Sequence, residues 1–332
     1  MLLNRQAILD RLLALQQLIL QQIIDSRQRQ QLHAVARETS ADTIYAIDAL
    51  VESTIEEFCD DWSRTLPLVL IAEGLELGGK VFPEGSEESD AVIRLIIDPI
   101  DGTRGLMYDK RSAWTLAGVA PNRGPHTRLR DIEIAAMTEL PTSKMAYADV
   151  LWAIHQGGAR GKRITIGEKR ESDLSLAPST ADTLDHGFAS VSSFFPGTKV
   201  LAADLLEEIV RGVLGRADVR QAAVFDDQYI CTGGQFYELI VGHDRFIADV
   251  RPQLYQILRQ PMGLCCHPYD CCTALIAEEA GVMLTDGWGG KLDGPLDCTT
   301  PMSWIGYANS TLRVAVEPLI LRFMHSRQVN TI

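Results

Sequence analysis

The chain is poor in aromatic residues, in positive charge and in long apolar runs. Phe, Trp and Tyr together make up 7% of its 332 residues. Lys and Arg number 31 against 44 Asp and Glu, a net charge of −13. A nucleic-acid backbone or an anionic membrane face selects a basic surface, so the expected partners include neither nucleic acid nor membrane. The longest apolar run, residues 66–72 (LPLVLIA), falls far short of the ~18–20 residues of a membrane span. The N-terminal stretch MLLNRQAILDRLLALQQLILQQ mixes charge and Gln into its leucines, and no small-residue cleavage site follows. It does not read as a signal peptide. The seven cysteines are an odd number, and four crowd into positions 265, 266, 271 and 272. That spacing is poor for disulfides and suits a reducing cytoplasm, the expected location.

What is present is a globular composition, with 46% apolar and 23% charged residues. The length allows two domains or one large layered domain. Leu and Ile recur at helical spacing through residues 1–38, predicting a first helix, and residues 47–62 predict a second. Residues 66–72 and 91–97 (AVIRLII) read as buried strands, with a polar, Gly-rich loop at 74–90 between them. Residues 114–166 read as antiparallel strands. The second half alternates: a strand at 188–193, a helix at 202–214, a helix or strand at 236–241, a helix at 273–280, strands at 282–285 and 305–308, and a closing helix at 312–324. The polar connection at 167–186 is the expected boundary between residues 1–180 and 186–332.

The segment Asp98-Pro99-Ile100-Asp101-Gly102-Thr103 directly follows a predicted buried strand. Asp98 and Asp101 can face one point, and the Ile100 carbonyl can turn toward it. This all-oxygen donor set suits Mg²⁺. If a helical turn follows, the Gly102 and Thr103 amides point at an incoming phosphate. Read alone, the same hexapeptide is equally a surface turn. In the segment 269–281 (YDCCTALIAEEAG), Asp270 reads as standing at a helix start that Gly281 ends. Taken alone, that is an ordinary helix cap.

Together these segments resemble the inositol monophosphatase family of lithium-sensitive, Mg²⁺-dependent sugar phosphatases. That family carries DPIDGT after a strand and an aromatic-Asp pair before a small-residue helix ending in Glu-Ala-Gly. Residues 70–73 (LIAE) look like its strand ending in Gly-Glu-Glu, and 45–48 (YAID) like its Thr-x-x-Asp. Residues 145–159 and 305–309 resemble its later strands, so matches run in order from about 40 to 325. The resemblance implies an α/β fold, an α+β layered sandwich of αβαβα architecture. It implies a Mg²⁺-dependent phosphomonoesterase with two or three ions, acting on a small phosphorylated metabolite, and a homodimer. The N-terminal half would carry most ligands and the C-terminal half Asp270 and the substrate side.

Carried over by residue, the resemblance gives one ion to Glu73, Asp98 and the Ile100 carbonyl, and a second to Asp98, Asp101 and Asp270. A third, weaker ion would lie near Glu73. Asp48 and Thr103 would orient the attacking water, with Glu73 also in the catalytic set. Gly102 and Thr103 would bind phosphate. Asp249, Thr232 and Gly233 would face the substrate, although Asp249 reads equally as a structural carboxylate paired with Arg251.

The chain departs from the family pattern at Gly74, where the second Glu would stand, and at Tyr269, where a Trp would stand. It also carries an insertion at 251–267 that reads as a lid or an interface segment. Arg104 reads as a contact for a second negative group or as a surface residue. The cysteine cluster with His267 raises a zinc site against buried thiols acting as small hydrophobes. Alternative activities are 3′(2′),5′-bisphosphate nucleotidase and fructose-1,6-bisphosphatase, and a non-catalytic ligand-binding relative is the alternative of another class.

Overall fold

The N-terminal leucine stripe forms helix α1 (Arg5–Gln28), whose Leu12, Leu15, Ile19 and Ile23 are fully buried. The computed structural model describes residues 4–28, 35–38, 43–75, 79–168, 170–215 and 220–329, with the side chains of 27–48 outside that description. By length and composition alone α1 passes as a bilayer span, with a mean hydropathy of 1.2 over its best stretch. Its apolar side lies against a sheet. The polar Gln16 on that side donates to the carbonyls of Ala136 at 2.8 Å and Thr115 at 3.2 Å, and accepts from the Thr138 hydroxyl at 2.8 Å. A buried amide so satisfied costs little.

The helix expected over residues 1–38 is described as far as Gln28, and its last four residues instead form a short strand β1 (Val35–Glu38) that pairs with β2 (Thr43–Tyr45). The apolar residues at helical spacing run as far as Ile24, and residues 25–31 (DSRQRQQ) are polar. Helix α2 (Ala46–Ser63) follows close to the expected bounds. Next come β3 (Leu68–Ala72), β4 (Lys80–Phe82), β5 (Ile93–Asp101), the short α3 (Thr103–Met107), β6 (Ala113–Pro121), β7 (Ile134–Leu140), β8 (Tyr147–Ile154), β9 (Ala159–Thr165) and β10 (Glu171–Asp173). They form one eight-stranded sheet in the order β10-β9-β8-β7-β6-β5-β3-β4. All its pairings are antiparallel except β3 with β5. The loop expected at 74–90 thus contains an edge strand, β4, that its Gly-rich composition concealed.

The second compact unit is built on β11 (Gly187–Val191), α4 (Lys199–Leu214), β12 (Val224–Phe225), α5 (Thr232–Ile240), β13 (Asp244–Asp249), α6 (Arg251–Ile257), α7 (Ala274–Ala280), β14 (Met283–Asp286), β15 (Trp304–Tyr307) and α8 (Ser310–Val329). Its five-stranded sheet runs β12-β11-β13-β15-β14, parallel at β11 and antiparallel at β15. Phe246, Ile305, Tyr307, Leu205 and Val316 form its core with the faces of α4 and α8. The start of the supposed insertion is helix α6, with Pro252 in its first turn, where a missing N–H costs nothing.

The division of the chain is not a single cut. The first unit comprises residues 1–174 and two returning segments, 268–276 and 295–299. The second takes 175–267, 277–294 and 300–332. Asp270, assigned by sequence order to the C-terminal half, packs with the first unit. Contacts between distant segments decide this, and sequence order carries no record of them.

Candidate metal centre

Strand β5 is buried along its whole length and ends in the two carboxylates of the hexapeptide. Asp98 is 2% exposed and Asp101 7% exposed. The ladder with β6 slips between them: Asp98 lies opposite Leu116 and Asp101 opposite Trp114. Three steps on β5 match two on β6, the signature of a bulge. A regular strand would send side chains three residues apart to opposite faces. The bulge removes one inversion and lets both carboxylates converge.

The turn is held from within. The Ile100 amide donates to Asp98 Oδ1 at 3.1 Å, and the Thr103 hydroxyl donates to the Ile100 carbonyl at 2.7 Å. Gly102 has φ of 97°, in the left-handed region that L side chains avoid, and its carbonyl accepts the Leu106 amide at 3.2 Å. Thr103 then opens α3.

Asp270 comes from the returning segment 268–276. It stands four residues ahead of the first α7 residue, Ala274, in a succession of turns. The expected cap is therefore displaced by one turn from the helix proper. Asp270 is partly buried, and its carboxylate joins those of Asp98 and Asp101 with all three oxygens within 4.8 Å of one another. Among the described residues this is the only group of three or more His, Cys, Asp or Glu side chains close enough to share a metal. The cysteine cluster does not form one, and none of the seven cysteines is in a disulfide. The thiols at 265, 266, 271 and 272 are buried, as small hydrophobes are.

A glycine that the sequence reading missed seats Asp270. Gly118 of β6 lies two residues along from Leu116, on the same face as Asp98. A Cβ at 118 would stand 2.8 Å from the Cys272 carbonyl and 2.8 Å from Ile132 Cδ1. The backbone of the 268–276 segment thus rests directly on β6. A lone Gly inside an apolar strand was the available signal for such an approach.

The other expected residues are placed unequally. Glu73 directly follows β3, is exposed, and stands outside the trio, although its charge reaches Asp98. Gly74 has φ of 84°, and a Cβ there would lie 3.1 Å from Glu52 Oε1. Asp48 lies in the first turn of α2, and its side chain is outside the described residues. Asp249, Thr232 and Gly233 belong to the second unit. Asp249 ends β13, fully buried, with both oxygens taken by the Arg251 guanidinium at 2.8 and 2.5 Å. That guanidinium also lies over the Phe194 ring at 4.6 Å. Thr232 and Gly233 open α5, buried.

Electrostatics disfavour Asp98 as a bare carboxylate. Burial pushes the Asp98 carboxyl well above the usual range, and the charges of Glu73, Asp101 and Asp270 push it further. The Ile100 amide only partly opposes them. Burial likewise raises the Cys272 thiol, with Asp98 as the largest charged contributor. Three converging carboxylates, hard oxygen donors, fit a divalent cation such as Mg²⁺.

No protein-family model matches the chain, and no curated protein matches its sequence. Solved structures do match. Fructose-1,6-bisphosphatase of Leishmania major in holo form superposes with a TM-score of 0.67 at 14% identity, covering 95% of this chain and 92% of that one. The inositol monophosphatase–fructose 1,6-bisphosphatase MJ0109 gives 0.63 at 16%, covering 95% and 98%. The extragenic suppressor protein SuhB of Bartonella henselae gives 0.61 at 15%, covering 95% and 98%. The chain has the layered α/β fold of these proteins, as the motif resemblance implied.

Proposed function

We propose that the chain is a divalent-cation-dependent phosphomonoesterase acting on a small phosphorylated metabolite, of inositol monophosphate or sugar phosphate type. The observation that carries this reading is the convergence of Asp98, Asp101 and Asp270 at the end of β5. The fold shared with an inositol monophosphatase and a fructose-1,6-bisphosphatase supports it. Asp98, Asp101 and Asp270 would hold the cation, with the Ile100 carbonyl and Glu73 as further oxygen donors. A bound Mg²⁺ supplies Lewis-acid polarisation of the phosphoryl group and a water of lowered pKa.

The residues themselves divide the remaining work. The Thr103 hydroxyl has its proton committed to the Ile100 carbonyl. Its oxygen is left to accept a hydrogen bond from the attacking water, which fixes that water's orientation with a lone pair free. Asp48 is the second group assigned to this water. The Gly102 and Thr103 amides are assigned to the phosphate. Asp249 serves through Arg251, which holds it as part of the second unit's framework. The reading includes inhibition by lithium, a homodimer and a cytoplasmic location.

The decisive experiment is phosphate release from a panel of sugar, inositol and nucleotide phosphates, with Mg²⁺ and with EDTA. Turnover that needs Mg²⁺ is expected, and the best substrate separates a monophosphatase from a bisphosphatase or nucleotidase. A folded protein that binds no Mg²⁺ and releases no phosphate would move the reading to a non-catalytic relative. Thr103→Val is expected to lower kcat about tenfold, the cost of one well-placed hydrogen bond, while Thr103→Ser keeps most activity. Equal kcat for Thr103→Val and wild type would remove Thr103 from the water-orienting role.

A further inference from the structure

The chain has Gly74 where the resemblance places a second Glu, and the fold shows what stands in that side chain's space. Strand β3 ends at Ala72. The Glu73 amide donates to the Ile97 carbonyl at 3.4 Å, which continues the parallel register of Ala72 opposite Ile97 and sets Glu73 beside Asp98. The Leu75 amide then donates to the Ala72 carbonyl at 3.1 Å, closing a turn with Glu73 second and Gly74 third. The Cys298 thiol donates to the same carbonyl at 3.1 Å. Gly74 has φ of 84°, and a positive φ at the third position is what a type II turn requires. An L side chain is strained in that conformation, so the turn cannot carry a Glu at 74 without distortion.

Glu52 reaches this turn from helix α2. Its Oε1 lies 3.1 Å from where a Cβ at 74 would stand, so its carboxylate occupies the space in which a side chain at 74 would begin. The buried Val51 and Ile55 of the same helix belong to the first unit's core, which fixes α2 at this height. Four residues on, Glu56 shares the Glu52 side of the helix, but its carboxylate is paired with Lys80 Nζ at 2.9 Å. The fold thus brings a carboxylate from a second element to the residue next to Glu73. Glu73 is in turn the largest charged contributor to the disfavoured Asp98 carboxylate.

We propose that Glu52 supplies from α2 the carboxylate that the turn cannot carry at position 74, and so takes part in holding a cation on the Glu73 side of the centre. The inference deepens the proposed function and rests on its reading of Asp98, Asp101 and Asp270 as a cation centre. Carboxylate oxygens are the donors that a hard divalent cation selects, whichever element they come from. The departure at Gly74 therefore moves the second acid to another element and does not delete it. Place matters here more than charge, since Glu56 carries the same charge one turn away and is spent on Lys80.

The test is direct binding of Mn²⁺ alone, as a stand-in for Mg²⁺, to the full chain, with the free ion counted by paramagnetic resonance. Wild type is expected to bind two classes of ion. Glu52→Gln keeps the shape and removes the charge. It is expected to weaken the looser class roughly 10–100-fold, the range for losing a supporting group of a metal site, and to leave the tighter class within about twofold. Glu56→Gln removes the same charge one turn along and is expected to leave both classes unchanged. Without metal at pH 7, Glu52→Gln is expected to melt at or above the wild-type temperature, since it relieves repulsion with Glu73. The inference is overturned if Glu52→Gln binds Mn²⁺ as wild type does, or if Glu56→Gln weakens the same class equally. It is equally overturned if metal-free Glu52→Gln melts below wild type, which is what a merely structural acid would produce. A wild type with a single class of bound ion overturns it too, and leaves the proposed function standing. A wild type that binds no Mn²⁺ takes down the cation reading itself, and this inference with it. Should Glu52→Gln fail to fold, Glu52→Ala, which favours the helix, reads the same loss, and wild-type binding by it sinks the inference.

Discussion

Asp98→Asn is expected to abolish Mg²⁺-dependent turnover and, in the same protein, to stabilise the metal-free fold. Asp98 is the most buried member of the trio, and its carboxylate is disfavoured by burial and by Glu73, Asp101 and Asp270. An Asn keeps the shape and one oxygen, and it removes the charge that the other carboxylates repel. Turnover should fall on the order of 10²–10³-fold or more, the range seen when one preorganised electrostatic contact to a transition state is removed. The stability effect has a definite sign. The folded pKa of Asp98 lies above its unfolded value of 3.8, so the metal-free fold is most stable at low pH, where the proton stays on. It loses stability as the pH rises from there through the raised folded value. Asn has no proton to lose and flattens this part of the curve, so its metal-free Tm at pH 7 should exceed that of wild type.

Mg²⁺ should reverse the ranking. A cation at about a hundred times its dissociation constant stabilises the folded state by about 2.7 kcal/mol, a Tm gain of roughly 4 °C for a chain of 332 residues. Wild type should show that gain, and Asp98→Asn should show little of it. Thermal melts with EDTA and with Mg²⁺, across pH 4 to 8, read both effects at once. A variant that melts lower than wild type in EDTA at pH 7 would contradict the electrostatic account of the trio. One that keeps the full Mg²⁺ gain would take Asp98 out of the cation site.

Gly118→Val is expected to weaken cation binding without touching a ligand. The new side chain would occupy space held by the Cys272 carbonyl, a backbone atom that no rotamer change can move aside. The strain is relieved by lifting the 268–276 segment from β6, and Asp270 travels with it. Overpacking of this kind costs about 1–3 kcal/mol of stability. Displacing a ligand's support typically costs roughly 10–100-fold in metal affinity. Calorimetric titration with Mg²⁺ should show that loss, with Gly118→Ala between Val and wild type because its single methyl meets the same carbonyl. Wild-type affinity in a folded Gly118→Val protein would mean that Asp270 is held by something other than this contact.

Much of the centre was legible in residue order because its parts are local. Asp98, Asp101, Gly102 and Thr103 lie within six residues, and a buried strand running into that turn leaves its carboxylates few places to go. Local hydrogen bonds among Asp98, Ile100 and Thr103 then complete the turn. Helices and strands with strong apolar periods, such as α2, β3 and β5, came out near their expected positions for the same reason. The short edge strands β1, β2 and β4 did not, since strands of three or four residues carry no period to detect and owe their existence to a neighbour.

Tertiary structure alone decided where Asp270 belongs. A segment 170 residues beyond the hexapeptide returns to the first unit because Gly118 offers a flat place on β6, a contact between residues that share no local pattern. Tertiary structure also decided that both Asp249 oxygens go to Arg251, a choice sequence left open because adjacency permits the pair without requiring it. The same holds for Glu139. Its partners, Ser112 and Asp149, are brought to it by two different strand crossings. What residue order determines here is the chemistry available, because donor types and turn formers act over a few bonds. Which carboxylates share a cation and which are spoken for is set by packing, because charges interact through space and only the folded chain sets those distances.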